Sequence, residues 1–125
     1  MIIPESLPLS AARRWGDCIY SSGQLPLDKE GAIVSGSIRD QTAQALLNLQ
    51  AALESEGASL RDVLKVTVWL TDARLFAEFN ETYSEFFSEP YPARSTVVAR
   101  LLGPADIEIE AIARFTGSSA VQTHS

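Results

Sequence analysis

The chain has very little of what most catalytic and metal sites use: one cysteine, Cys18, and one histidine, His124, among 125 residues. A single Cys closes no internal disulfide, so cysteine usage gives no sign of an oxidising compartment. His124 stands in a polar tail, whereas a Ser-His-Asp or Cys-His arrangement needs a histidine held in the folded body. A zinc site of His and Cys fails for want of ligands. No run approaches the ~18 apolar residues of a membrane span, and no basic region followed by an apolar stretch opens the chain. A soluble, cytoplasmic protein with no membrane partner is the expectation. Positive charge is also short: ten Lys and Arg against sixteen Asp and Glu leave −6. That balance argues against nucleic acid as the main partner while leaving room for a local basic pocket. Any chemistry must come from Arg, Glu, Asp, Ser, Thr, Tyr or the backbone.

What is present is enough for one folded domain. With 46% hydrophobic positions, a chain of this length buries roughly two-thirds of its unfolded surface and needs no metal or disulfide staple. Met1 to Arg14, with two prolines, reads as an extended arm. Gly16-Asp17 reads as a turn, Cys18 to Ser22 as a short strand, and Ala32-Ile33-Val34 as a second one. From Ile38 the period changes. Ile38, Thr42, Ala45, Leu46, Leu49, Ala52 and Leu53 define one helical face, between Ser37 as N-cap and Gly57 beyond the end. Arg39, Asp40, Gln44, Asn48 and Glu54 take the opposite face.

Ser59 to Asp62 predicts a capped turn, and Val63 to Leu70 a strand with Val66, Val68 and Leu70 on one side. Thr71-Asp72 caps a second helix whose Leu75, Phe76, Phe79, Tyr83, Phe86 and Phe87 form an aromatic stripe, read as core. Pro90 and Pro92 end it. Arg94 to Ala99 and Ile107 to Ala113 are strands, the latter with Glu108 and Glu110 opposite its aliphatic side. The order predicts an α+β fold with two helices on one face of a mixed sheet. Its other face, carrying Thr67, Trp69, Val97 or Val98, and Ile112, is expected to be covered in a symmetric homo-oligomer, the alternative being a small, partly wet sheet face on a monomer. The expected domain spans residues 1–116, with 117–125 as a flexible tail. Cys18 is read as a small core residue.

Two segments stand out for chemistry. In Ser21-Ser22-Gly23-Gln24-Leu25-Pro26, hydroxyls and an amide meet a glycine at a strand end, where a ligand can approach the backbone. In Pro92-Ala93-Arg94-Ser95-Thr96, an arginine opens a strand, and its planar fork suits a carboxylate. Glu108 is either a salt-bridge partner or an acid/base group. Taken alone, each segment also fits an ordinary turn or an ion pair.

Together with Gly16-Asp17, Asn48-Leu49 and Ile107-Glu108-Ile109-Glu110-Ala111-Ile112-Ala113, these segments resemble the RidA (YjgF) family of reactive imine and enamine deaminases, from about Leu9 to Arg114. The resemblance implies a chorismate-mutase-like fold and a homotrimer with three clefts between subunits. It implies hydrolysis of 2-imino and 2-amino-alkenoic acids to 2-oxo acids and ammonia, with no metal and no bound cofactor. The family's carboxylate-binding arginine falls on Arg94, its turn serine on Ser22, and its water-side glutamate on Glu108. Thr96 and Gly23 fall on ligand-facing positions. Two departures point to a less-characterised subgroup. The family's arm tyrosine is Leu9 here, and the stretch from Thr96 to Glu108 is one residue shorter than in RidA proper. The alternatives are a non-catalytic trimer holding small carboxylic acids in the same clefts, and a ribonuclease, which the charge of −6 disfavours.

Overall fold

The computed structural model describes residues 7–117. The expected tail beyond Gly117, His124 with it, and the first six residues of the arm lie outside that range. Strands β1 (Ala12–Trp15) and β2 (Cys18–Ser21) precede helix α1 (Ile38–Glu54) and strand β3 (Val63–Leu70). Helix α2 (Phe76–Phe86) and strands β4 (Ala93–Val98) and β5 (Ile107–Arg114) complete the order. The sheet runs β1-β2-β5-β3-β4, antiparallel except for the parallel pair β3 and β4. β4 therefore lies at an edge.

Both helices cover one face, as the periodicity predicts. Leu46, Leu49 and Leu53 of α1 and Phe79 of α2 join Ile19, Val66, Val68, Leu70, Ile107 and Ile109 in one buried core. Fully burying each such side chain contributes roughly 1.5–3 kcal/mol. Ser37 caps α1 by accepting the Asp40 N–H, and Ser59 and Asp62 form a capping box ahead of β3. Asp72 caps a 3₁₀ turn, Ala73–Leu75, that runs straight into α2. Gly57 has φ +101°, a conformation open to glycine, and its carbonyl accepts the Thr116 and Gly117 N–H groups.

Three expectations need correction. The arm does not extend to Arg14, because Ala12–Trp15 pairs with β2. Ala32-Ile33-Val34 is no strand; Ile33 makes only an isolated bridge to Leu27, held by Asp28 accepting two backbone N–H groups across the turn. The aromatic stripe is core only in part: Phe79, Tyr83 and Phe87 are buried, but Phe76 is 44% exposed. Among the described residues no helix is long and apolar enough to cross a membrane.

Candidate active site

The predicted residues fall into two groups. The first surrounds Glu108. On β5, Ile107, Ile109, Ala111 and Ala113 point into the core, which sends Glu108 and Glu110 to the uncovered face. Gln24 exchanges backbone hydrogen bonds with Ile109, at 2.7 and 3.1 Å, and so brings the Ser22-Gly23 turn beside Glu108. The approach is so close that a Cβ on Gly23 would overlap Glu108 Oε2 and lie 2.9 Å from its Cδ. Any larger residue there must displace the carboxylate.

The turn itself is pinned from α1. Asn48 Nδ2 donates to the carbonyls of Leu25 and Leu27, both at 2.9 Å, and Gln44 Nε2 donates to Asn48 Oδ1 at 2.9 Å. Asn48 thus faces the turn rather than the outer side of the helix. Ser22 is committed differently from the expectation: its hydroxyl donates to Ser10 O at 2.5 Å and its N–H to Ala11 O. It ties the arm down and offers a ligand only acceptor lone pairs. Leu9 lies on that arm, 62% exposed.

Glu108 is half-buried. Burial, and after it repulsion from Glu110, push its carboxyl above the ordinary value of 4.5. A cavity of about 320 Å³ opens beside it, lined by Trp69, Ala99, Arg100, Leu101 and Leu102.

The second group is on β4. Arg94 and Thr96 pair with Val66 and Val68, which are buried beneath the helices, so their side chains share that face. The Arg94 guanidinium lies over Tyr83, Phe79 and Phe76, with Cζ 4.7, 5.3 and 5.7 Å from the ring centroids. It borders a cavity of about 360 Å³ lined also by Asn80, Ser84, Tyr91 and Pro92. The ion pairs among the described residues are Arg39–Glu85 and Arg74–Asp72, which leaves Arg94 with no carboxylate partner. A cation at the rim of a largely apolar cavity, free of a counter-ion, is suited to an anionic ligand.

Arg94 and Glu108 therefore stand on opposite faces of one sheet. The structure joins Ser22 and Gly23 to Glu108, and Thr96 to Arg94, but does not bring the two groups together. Asn80, Tyr83 and Tyr91 were missed as site residues. Asn80 and Ser84 lie four apart on α2 and flank Tyr83 with amide and hydroxyl, a signal that the aromatic stripe overshadowed.

This arrangement can be set against known proteins. Residues 3–115 match the family model described as Endoribonuclease L-PSP, which spans the YjgF and RidA proteins. The chain belongs to the RidA (YjgF) family. A RutC family protein of Pyrococcus horikoshii is 52% identical over 108 residues, covering 85% of this chain and 86% of the relative. A 2-iminobutanoate/2-iminopropanoate deaminase of Dermatophagoides farinae is 41% identical over 107 residues, covering 84% of each. The crystal structure of E. coli TdcF with bound serine superposes with a TM-score of 0.80 at 38% identity, covering 87% of this chain and 89% of that one. The mixed α+β fold, one sheet and two helices, is that of RidA structures.

Two measurements test this geometry. Asn48→Ala strands two part-buried carbonyls and is expected to cost about 1–3 kcal/mol in urea unfolding; an unchanged midpoint would contradict the pinning. Glu108 has a folded-state pKa above its unfolded one, so as pH rises the unfolded chain loses the proton first. The ionised group then costs stability above about pH 4.5, and nothing where both states stay protonated. Glu108→Gln is expected to melt above wild type at about pH 7 and together with it at about pH 3. Identical melting at both would refute the burial of that charge.

Proposed function

We propose that this RidA-family chain is a cofactor-free deaminase that hydrolyses small 2-imino and 2-amino-alkenoic acids to 2-oxo acids and ammonia. The observation that carries the reading is the Arg94 guanidinium, without a carboxylate partner and beside a cavity on the edge strand. The name of the mite relative and the serine, an α-amino carboxylate, held by TdcF agree with it.

Because Arg94 and Glu108 point away from each other, the proposed reaction cleft lies between copies. Arg94 and Thr96 of one copy would meet Ser22, Gly23 and Glu108 of the next, and a homotrimer would hold three such clefts. Arg94 would grip the substrate carboxylate with two parallel N–H donors. A protonated imine is already electrophilic at C2, so the chemical demand is small. Glu108, ionised, takes a proton from water as the oxygen bonds to C2 and the C=N electron pair moves to nitrogen. The proton passes back to that nitrogen; Glu108 then takes the proton of the C2 hydroxyl as the C=O bond forms and the C–N bond breaks, and ammonia leaves with that proton as ammonium, which frees the carboxylate and the 2-oxo acid. A 2-amino-alkenoic acid enters after protonation at C3. A carboxylate with a raised pKa is a stronger base than an ordinary one, so it takes the proton of water more readily, which suits the first of these roles.

A second reading, a trimer that holds small carboxylic acids without reacting them, draws on the arm. Leu9 supplies no hydroxyl, and the Ser22 hydroxyl is spent on Ser10. One assay decides between them. With 2-iminobutanoate generated by an amino-acid oxidase, wild type is expected to accelerate its decay, and Arg94→Ala to lose at least about 100-fold in kcat/KM. Failure of wild type to accelerate decay, with 2-oxobutanoate still bound, would favour the non-catalytic reading.

A further inference from the structure

The α2 aromatic stripe places three rings, Phe76, Phe79 and Tyr83, beneath the Arg94 guanidinium. Tyr83 is flanked by Phe79, with ring centroids 5.5 Å apart at 50°, and stacked on Phe87 at 4.5 Å and 28°. Neighbours on both sides leave its ring one orientation. The ring is buried, 6% exposed, and of the three under Arg94 it lies nearest to the guanidinium. Its hydroxyl is buried and makes no hydrogen bond of good geometry, yet it lies near enough to the Arg94 guanidinium to feel it as a hydrogen-bonding neighbour. Burial pushes the phenol above its ordinary value, and Arg94, by its charge and then by hydrogen bonding, pulls it down by less. The oxygen therefore stays protonated, with lone pairs in the field of the Arg94 cation.

We propose that Tyr83 is a positioning residue for Arg94: its ring sets the tilt of the guanidinium, and its hydroxyl oxygen accepts one guanidinium N–H when a ligand binds. A guanidinium has five N–H donors in one plane. Holding one of them on the protein side leaves a parallel pair turned toward the cavity, the geometry a carboxylate requires. The fully buried Phe79 and the partly exposed Phe76 complete the seat beneath the guanidinium. The inference rests on the reading of Arg94 as the carboxylate clamp, and it gives the stripe a task besides filling the core.

Tyr83→Phe removes only the hydroxyl, and losing a buried hydroxyl that makes no hydrogen bond of good geometry leaves stability unchanged or raised. The proposal expects the calorimetric Kd for 2-oxobutanoate to weaken about tenfold, and KM for 2-iminobutanoate to rise by the same factor. In the Arg94→Ala background, Tyr83→Phe is expected to change neither, because the effect passes through the guanidinium. Tyr83→Leu, which also loses the ring, is expected to weaken binding further. Unaltered binding in Tyr83→Phe, or an equal loss in the Arg94→Ala background, overturns the proposal. Because Kd is read directly, a wild type that binds the 2-oxo acid without turning over an imine defeats the deaminase reading and leaves this test standing. A wild type that binds no 2-oxo acid overturns both.

Discussion

Everything in the proposed site follows from which way β3 faces. Val66, Val68 and Leu70 must lie beneath α1 and α2, since no other surface buries them. Side chains alternate along a strand, so that one requirement assigns a face to every residue paired with β3. Parallel register hands Arg94 and Thr96 to the helix side; antiparallel register gives Glu108 and Glu110 to the other. A slip by one residue would reverse both and expose the core. The cation and the carboxylate are thus held apart by the same packing that holds the fold together. Within one chain they neither neutralise each other nor act together. A second copy, laid with its uncovered face toward the first copy's β4 edge, would resolve both consequences at once.

The long periodic elements were legible because their patterns are local. The 3.6-residue repeat of α1, the alternation of β3 and β5, and the capping residues Ser37, Ser59 and Asp72 needed no tertiary information. Ala12–Trp15 was hidden because its strand character comes from pairing with β2 rather than from its own pattern, which is exposed at Arg13, Arg14 and Trp15. Ala32 to Val34 misled in the opposite sense: its β-branched residues suit a strand, but the Asp28 turn draws it into a single bridge. Asn48 was assigned to a polar outer face by hydropathy alone, which cannot distinguish a solvated amide from one that holds two carbonyls.

The candidate residues themselves came from family resemblance more than from chemistry visible in isolation. A lone arginine and a lone glutamate are common, and nothing in their spacing says that they cooperate. The structure adds that each sits in its own prepared setting, Arg94 over aromatic rings and Glu108 against a glycine that leaves it room. A chain with one cysteine and one histidine suits a reaction in which the substrate supplies the electrophile. The protein then has to supply only position, a cation and a proton carrier.

The central claim, that the reacting groups come from different copies, is tested most directly by mixing two inactive variants. Arg94→Ala and Glu108→Gln are unfolded and refolded together, and 2-iminobutanoate hydrolysis is measured on assemblies shown by native mass spectrometry to contain both. If each cleft takes Arg94 from one copy and Glu108 from the next, each mixed trimer regains both groups in about one cleft of three, or about a quarter of all clefts after random mixing, with activity to match. Mixed assemblies as inactive as the separate variants would contradict the account.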